Sequence, residues 1–244
     1  MNYSKTILAL FSTLPFFLQG CNSSTSTSLS GDIIGYGRLF DLNGVHSGSD
    51  SGISVSIEGT GLKTTSVRDG RWVLSNVPAG IYTLSFSYPG YGTYNYVGFQ
   101  FVGGGQLYFG TQSIYQTPLF TVINLASKTG TAITLTGTLS GKFPNGTRNV
   151  RFFVGTSAAV SSDPSQYLYS LSTAVSSTST SFSVSISPDD PALTKAGVVS
   201  GQTIYFIAYA EGYISTTYLD LATGRSYFAN LNPTPSKAVK VVVP

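Results

Sequence analysis

Charge is scarce in this chain. Only 9% of its 244 residues are Asp, Glu, Lys or Arg, against about 25% in an average domain. The few charges form no cluster longer than Arg68-Asp69-Gly70-Arg71, so there is no basic stripe to contact nucleic-acid phosphates. Cysteine occurs once, at Cys21, which excludes an internal disulfide framework and leaves folding to apolar cores. Histidine also occurs once, at His46, and one histidine with one cysteine cannot supply the usual zinc ligands. No glycine-rich stretch leads into a lysine as a phosphate-cradling loop does. No segment shows a convincing amphipathic helical face.

Ser, Thr, Gly and Tyr fill the vacated positions, in short alternating runs broken by Gly, Pro, Asn and Asp. Turn signals about every 8–12 residues are the pattern of sandwiches and barrels. A side-chain period of two assigns one buried face to each run. It places Ile53, Val55 and Ile57 together, Trp72 with Leu74, and Tyr82, Leu84, Phe86 and Tyr88 together. Arg68-Asp69-Gly70 and Pro78-Ala79-Gly80 read as the turns between them. Beyond a polar link at Gln112 to Pro118, Ile133, Leu135 and Leu139 share a face, with Gly137 as a bulge or close-approach point. Phe182, Val184 and Ile186 follow, and then Ile204, Phe206 and Ala208 opposite Tyr205, Ile207 and Tyr209. The fold class expected is all-β, two tandem antiparallel β-sandwich domains after a signal peptide and a flexible tether.

The N-terminus has a single early lysine, Lys5, then a short apolar run from Ile7 to Leu18 interrupted by Pro15. That is the layout of a secretory signal rather than of a membrane span. Leu18-Gln19-Gly20-Cys21 resembles the lipobox of bacterial lipoproteins, with Gln19 where that motif usually carries a small or β-branched residue. The resemblance implies cleavage before Cys21 and a diacylglyceryl group on its thiol, with stable anchoring needing more than one acyl chain. Asn22 in the next position implies sorting to the outer membrane under enterobacterial-type rules. The segment "NSSTSTSLS" lacks charge and holds one apolar residue, so it reads as a tether.

Residues 52–91, "GISVSIEGTGLKTTSVRDGRWVLSNVPAGIYTLSFSYPGY", resemble the carboxypeptidase regulatory-like, or prealbumin-like, domain. The matching features are Glu58-Gly59-Thr60, Asp69-Gly70 before Trp72, Asn76 to Gly80 before Tyr82, and Gly90-Tyr91. The resemblance spans about residues 31–116 and implies a seven-stranded sandwich without catalytic residues. The insertion "VHSGSDS" lengthens its first loop. The second half resembles a fibronectin type III or immunoglobulin-like domain, with "FFVGTS" as third strand, "SGQTIYFIAYAEG" as sixth and "KAVKVVVP" as last. The loop Ser187 to Val199 is long for that family. The expected domains are a signal peptide at 1–20, a tether at 21–30, and sandwiches at 31–117 and 118–244.

The loop "GVHSGSDSG" holds Ser, His and Asp together. A catalytic triad needs its base and carboxylate held on rigid supports, whereas these residues share one surface loop, read here as solvated. Asp41, Asn43 and Asp50 could be oxygen ligands for calcium, but Val45 and Gly48 break the alternate spacing. Asp189 and Asp190 are adjacent and would point apart, unlike facing glycosidase carboxylates. No catalytic residue, metal or cofactor is therefore expected beyond the lipid on Cys21, and the chain is not expected to be an enzyme.

The stretch from Tyr88 to Tyr115 concentrates aromatics among glycines, some of them core and some free to meet a partner. Tyr91, Tyr94, Tyr96 and Tyr108 are the candidate ligand-binding residues, because an exposed tyrosine offers a flat apolar face with a hydroxyl. The function expected is that of a non-catalytic, lipid-anchored and surface-exposed protein of the bacterial outer membrane. Its partner would be a protein or glycan, with the membrane reached through the lipid and no nucleic acid involved. The alternative is a structural accessory subunit or spacer in a periplasm-facing envelope or secretion complex.

Overall fold

The computed structural model describes residues 29–141 and 148–244. The expected signal peptide, Cys21 and all but the last two tether residues lie outside them. Among the described residues, no helix is long and apolar enough to cross a membrane.

Seven strands build the first sandwich: β1 (Ser30–Phe40), β2 (Ser54–Ile57), β3 (Lys63–Thr65), β4 (Arg71–Pro78), β5 (Gly80–Ser87), β6 (Tyr94–Phe101) and β7 (Gln106–Tyr115). One sheet has the order β4-β1-β7 and the other β3-β2-β5-β6. The inward positions are those the alternation assigned. Ile53, Val55, Ile57, Trp72, Leu74, Leu84 and Phe86 meet in one core with Ile33, Phe101 and Ile114, while Tyr82 and Tyr88 pack partly buried against it.

Two expectations need correction here. The sandwich is not wholly antiparallel, because β1 and β7 run parallel from Asp32↔Gln106 to Phe40↔Tyr115. A parallel pair needs a long crossover, and the five intervening strands supply it. For the same reason Gln112 to Pro118 is not simply a link. Its first four residues belong to β7, and Ile114 is a core side chain.

The second sandwich comprises β8 (Val122–Thr129), β9 (Ile133–Leu139), β10 (Arg148–Gly155), β11 (Tyr169–Val175), β12 (Ser181–Ile186), β13 (Thr203–Glu211) and β16 (Val239–Val242). A hairpin of β14 (Thr217–Leu219) and β15 (Ser226–Phe228) interrupts it before the last strand. The facing sheets are β12-β9-β8 and β11-β10-β13-β16, both antiparallel. Gly137 is a close-approach point: a Cβ there would come 2.4 Å from Cζ of Phe182. The bulge lies elsewhere, in β8 between Ile123 and Ala126.

The long loop at Ser187 to Val199 contains α1 (Pro191–Lys195). Asp190 caps it, its carboxylate accepting from the Ala192 amide at 2.8 Å, and proline opens the first turn. Leu193 and Val198 thereby enter the core.

The β10–β13 pair is buried on both faces. Phe152, Ile204, Phe206 and Ala208 face the main core. Phe153, Val160, Tyr167, Ile207, Tyr209 and Leu231 form a separate cluster on the outside, with Phe228 of β15 packed against it. The excursion that carries β14 and β15 closes over this face. It is tied down by the Tyr167 hydroxyl, which donates to the Ser226 carbonyl at 2.6 Å and accepts from the Ser226 amide at 3.0 Å. The Arg151 guanidinium lies 4.0 Å from the Phe228 ring centre, and its Nε donates to the buried Glu211 carboxylate at 2.9 Å.

The sandwiches meet in a packed junction. A Cβ on Gly92 would come 2.2 Å from the Ala229 carbonyl oxygen, so only glycine permits this approach. Ile214 packs against Gly44. Asn232 Nδ2 donates to the Pro118 carbonyl at 2.7 Å.

Candidate binding cleft at the junction

Strand β6 is an edge strand, paired only with β5. Leu84 lies opposite Tyr96 but Tyr82 lies opposite Phe99, so β6 carries an extra residue where β5 has one. Gly98, at φ 76°, accommodates this bulge. Unbroken alternation through Gly98 would put Phe99 and Phe101 in a register separate from Tyr94 and Tyr96. The bulge corrects that, returning Phe99 to the face of Tyr96, with ring centres 6.2 Å apart. Tyr96 also meets Phe109 edge-on at 5.1 Å, and Phe109 leads inward to Phe86 at 5.5 Å.

The β14–β15 hairpin supplies the opposite wall. Tyr218 and Tyr227 are cross-strand partners with rings stacked 5.0 Å apart. Tyr94 reaches across the junction to Tyr218, edge to face at 5.6 Å. The hairpin turn is organised by Asp220, whose carboxylate accepts from the Thr223 amide and hydroxyl.

Between these walls lie two adjoining hollows of about 260 and 500 Å³. They share Asn95, Val97, Tyr218, Leu219 and Leu221; the smaller adds Tyr94 and Tyr96, and the larger adds Glu58, Asp220 and Tyr227. Leu219 and Leu221 are 50% and 69% exposed, so the rim is apolar and open. Asn95 Nδ2 donates to Glu58 Oε1 at 2.8 Å, while its buried Oδ1 accepts no hydrogen bond from the described residues.

The electrostatics keep the tyrosines protonated. Burial, then neighbouring Tyr227 and the Glu58 carboxylate, push the Tyr218 phenol up to about 12. Burial and Tyr96 raise Tyr94, and burial followed by the nearby acidic groups raises Tyr227. At neutral pH their hydroxyls donate as well as accept. Asp220 moves the other way, the Thr223 hydroxyl holding it below the usual carboxylate range. A general acid needs the opposite shift. The cleft thus combines flat apolar faces with hydroxyl, amide and carboxylate groups, a set suited to binding.

The four tyrosines singled out in the sequence do not form one surface. Tyr94 and Tyr96 line the cleft. Tyr91 is half-buried, edge-on to Tyr88 at 5.2 Å, with its hydroxyl 3.0 Å from that of Ser47. Tyr108 lies on β7, 64% exposed, with its ring edge-on to Tyr36 at 6.4 Å. The hairpin residues Tyr218, Leu219 and Leu221 and the Glu58–Asn95 pair were missed as site residues. The available signal was the short alternating runs "TTYL" and "RSYF" on either side of Gly224.

The His46 loop is less solvated than expected. Asp50 is 1% exposed; its Oδ1 accepts from the Leu39 amide at 2.7 Å, and its Oδ2 pairs with Arg38 at 2.6 Å. His46 Nε2 is 2.9 Å from both oxygens. Burial raises the Asp50 pKa, but the hydrogen bonds from Leu39, Arg38 and His46 outweigh it and hold the carboxyl below its ordinary value. Asp41 Oδ1 accepts from the Asn43 and Val45 amides, both at 2.8 Å, so it shapes the loop. Among the described residues, no group of three or more His, Cys, Asp or Glu side chains is arranged to hold a metal ion.

The sheet order defines an all-β protein of two β-sandwiches. No family model matches the chain, and no curated protein matches it. Solved structures similar to it include a proposed carbohydrate binding protein from Bacteroides uniformis, at 20% identity and a TM-score of 0.32, covering 88% of this chain and 99% of that one. A DUF3823 family protein from Bacteroides ovatus is similar at 18% identity and a TM-score of 0.32, over 88% of this chain and 100% of its own. The FN1–FN3 domains of chicken CNTN1 are similar at 12% identity and a TM-score of 0.26, over 88% of this chain and 65% of theirs. Likeness at this level leaves any ligand to be read from the residues of the cleft.

Proposed function

We propose that this chain is a non-catalytic binding protein of the bacterial envelope, anchored by lipid on Cys21 and exposed at the outer membrane. Its first sandwich is a carboxypeptidase regulatory-like module and its second a fibronectin III-like module. The ligand, a glycan or a protein segment, seats in the cleft between them. One observation carries this reading: the aromatic wall Tyr96, Tyr94, Tyr218 and Tyr227 is assembled from both sandwiches around an open, apolar-rimmed hollow. Flat aromatic side chains in a concave site are efficient anchors because they bring large contact area with few rotatable bonds.

The anchor and the cleft are tested together. Surface proteolysis of intact cells should digest the protein, and Cys21→Ala should release it in soluble form. Ligand capture by those cells should fall with Leu219→Asp. Protection from protease on intact cells would remove the surface assignment, and unchanged capture would remove the cleft. An accessory or spacer role is the second reading. The packed junction at Gly92, Ile214 and Asn232 favours it, because it holds the two sandwiches as a stiff unit.

A further inference from the structure

The cleft lining is asymmetric in charge and in hydrogen-bonding capacity. Two carboxylates, Glu58 and Asp220, border the larger hollow, and among the described residues no lysine or arginine lines either one. An anionic ligand would therefore leave water without gaining a cationic partner and would face like charges, a combination that rejects it. The polar groups also call for donors. Among the described residues the exposed Glu58 carboxylate accepts only one bond, from Asn95 Nδ2, and Asp220 brings a second carboxylate to the same hollow. A ligand that fits must bring several hydroxyl or amide hydrogens to these acceptors, and apolar faces to Tyr96, Tyr218 and Leu219.

Size points the same way. The larger hollow, about 500 Å³, falls within the range of small-ligand sites, about 300 to 1,000 Å³. A stable protein partner instead covers about 800 Å² of each surface. Resting on the cleft reading above, we propose that this site takes an uncharged, hydroxyl-rich saccharide chain and discriminates against uronic and sulfated glycans. The sugar rings lay their C–H faces on Tyr218 and Tyr96, and their hydroxyls donate to the Glu58 and Asp220 carboxylates. The amphipathic character of a tyrosine ring, apolar face with polar tip, suits it to such a partner.

The test is an array of neutral, uronic and sulfated oligosaccharides probed with the full chain in mild detergent, then titration calorimetry on the best neutral glycan and its uronic counterpart. The expected result is retention of a neutral glycan, with the uronic counterpart at least tenfold weaker. Tyr218→Ala and Leu219→Asp should each weaken the neutral glycan at least tenfold. Leu219 is half exposed, so its variant keeps the fold should Tyr218→Ala disturb the hairpin. Glu58→Lys should narrow the neutral-to-uronic gap. Acidic glycans binding as tightly, with binding still lost in Leu219→Asp, would overturn the charge discrimination and leave the cleft as the site. Neutral-glycan binding indifferent to both cleft variants would overturn the cleft itself. Retention of no glycan, with or without capture of a protein, would overturn the saccharide assignment.

Discussion

The two sandwiches use the same alternation to different ends. In the first, each strand buries one face, and a single core holds Trp72, Phe86 and Ile114. In the second, the central β10–β13 pair is buried on both sides, because the segment carrying β14 and β15 folds back over the outer face. A one-sided sheet is closed by its partner sheet alone, whereas a two-sided sheet needs another layer. That added layer also supplies half of the cleft, so the more heavily buried sandwich supplies the hairpin that completes the candidate site.

The comparison breaks first on its cores. Phe152 and Phe153 are adjacent and fully buried on opposite faces of β10. Truncating a core phenylalanine costs about 3–5 kcal/mol, and Phe152→Ala and Phe153→Ala should both fall there by denaturant titration. A cost below about 1 kcal/mol for Phe153→Ala would mean that the outer cluster is a surface covering rather than a second core. Phe153→Ala should also raise hydrogen exchange at Tyr227 and Phe228, which Phe152→Ala should not do selectively.

Asp50 sharpens the contrast from the side of the first sandwich. Removing its carboxylate strands the buried Leu39 amide and breaks the Arg38 and His46 contacts, so Asp50→Ala should cost about 1–3 kcal/mol. Its folded-state pKa lies below the unfolded value. The carboxylate therefore contributes stability above the ordinary aspartate range near 3.9, and that contribution is lost as pH falls through the depressed folded value. Acid denaturation followed by Trp72 fluorescence should show this loss in the wild type and a flatter profile in Asp50→Asn. A steeper profile in the variant would contradict the assignment.

At the junction, Gly92→Leu places a side chain against the Ala229 carbonyl. Overpacking typically costs about 1–3 kcal/mol, and here it should appear as faster proteolysis near Thr117 to Thr121 with both cores retained. Equal protease resistance would show that the junction yields without loosening.

The smallest effect is spectroscopic. The Tyr218 phenol, pushed up to about 12, should ionise among the last tyrosines in an alkaline absorbance titration, and Tyr218→Phe should delete that component. Because its folded pKa exceeds the unfolded value near 10, its contribution to stability is present below about pH 10 and fades as pH rises toward 12. Loss of a component titrating near 10 instead would place Tyr218 in solvent, away from Tyr94.

Local pattern made much of this fold legible. Strand faces such as Ile53, Val55 and Ile57 follow from a period that each strand carries in itself. The third, sixth and last strands of the second sandwich lie where their motifs placed them, in β10, β13 and β16. The run "TIYFIAYAE" was read as one face against another, and its continuous burial went unseen. The layer that buries its second face comes from residues beyond it in the chain. The His46 loop misled because polar composition reads as solvated, and only the approach of Leu39 and Arg38 shows that Asp50 is an anchor.

By itself, then, the sequence determined that the chain forms β-sandwiches with aromatic-rich strands, because period, turn chemistry and composition are local properties. Only the tertiary structure decided which tyrosines meet. Tyr94 and Tyr218 lie far apart in the chain and touch through the junction packing, whereas Tyr91 and Tyr108, close to Tyr94 in sequence, do not line the cleft. Contacts of that kind depend on how two separately closed cores dock, and no local period encodes it.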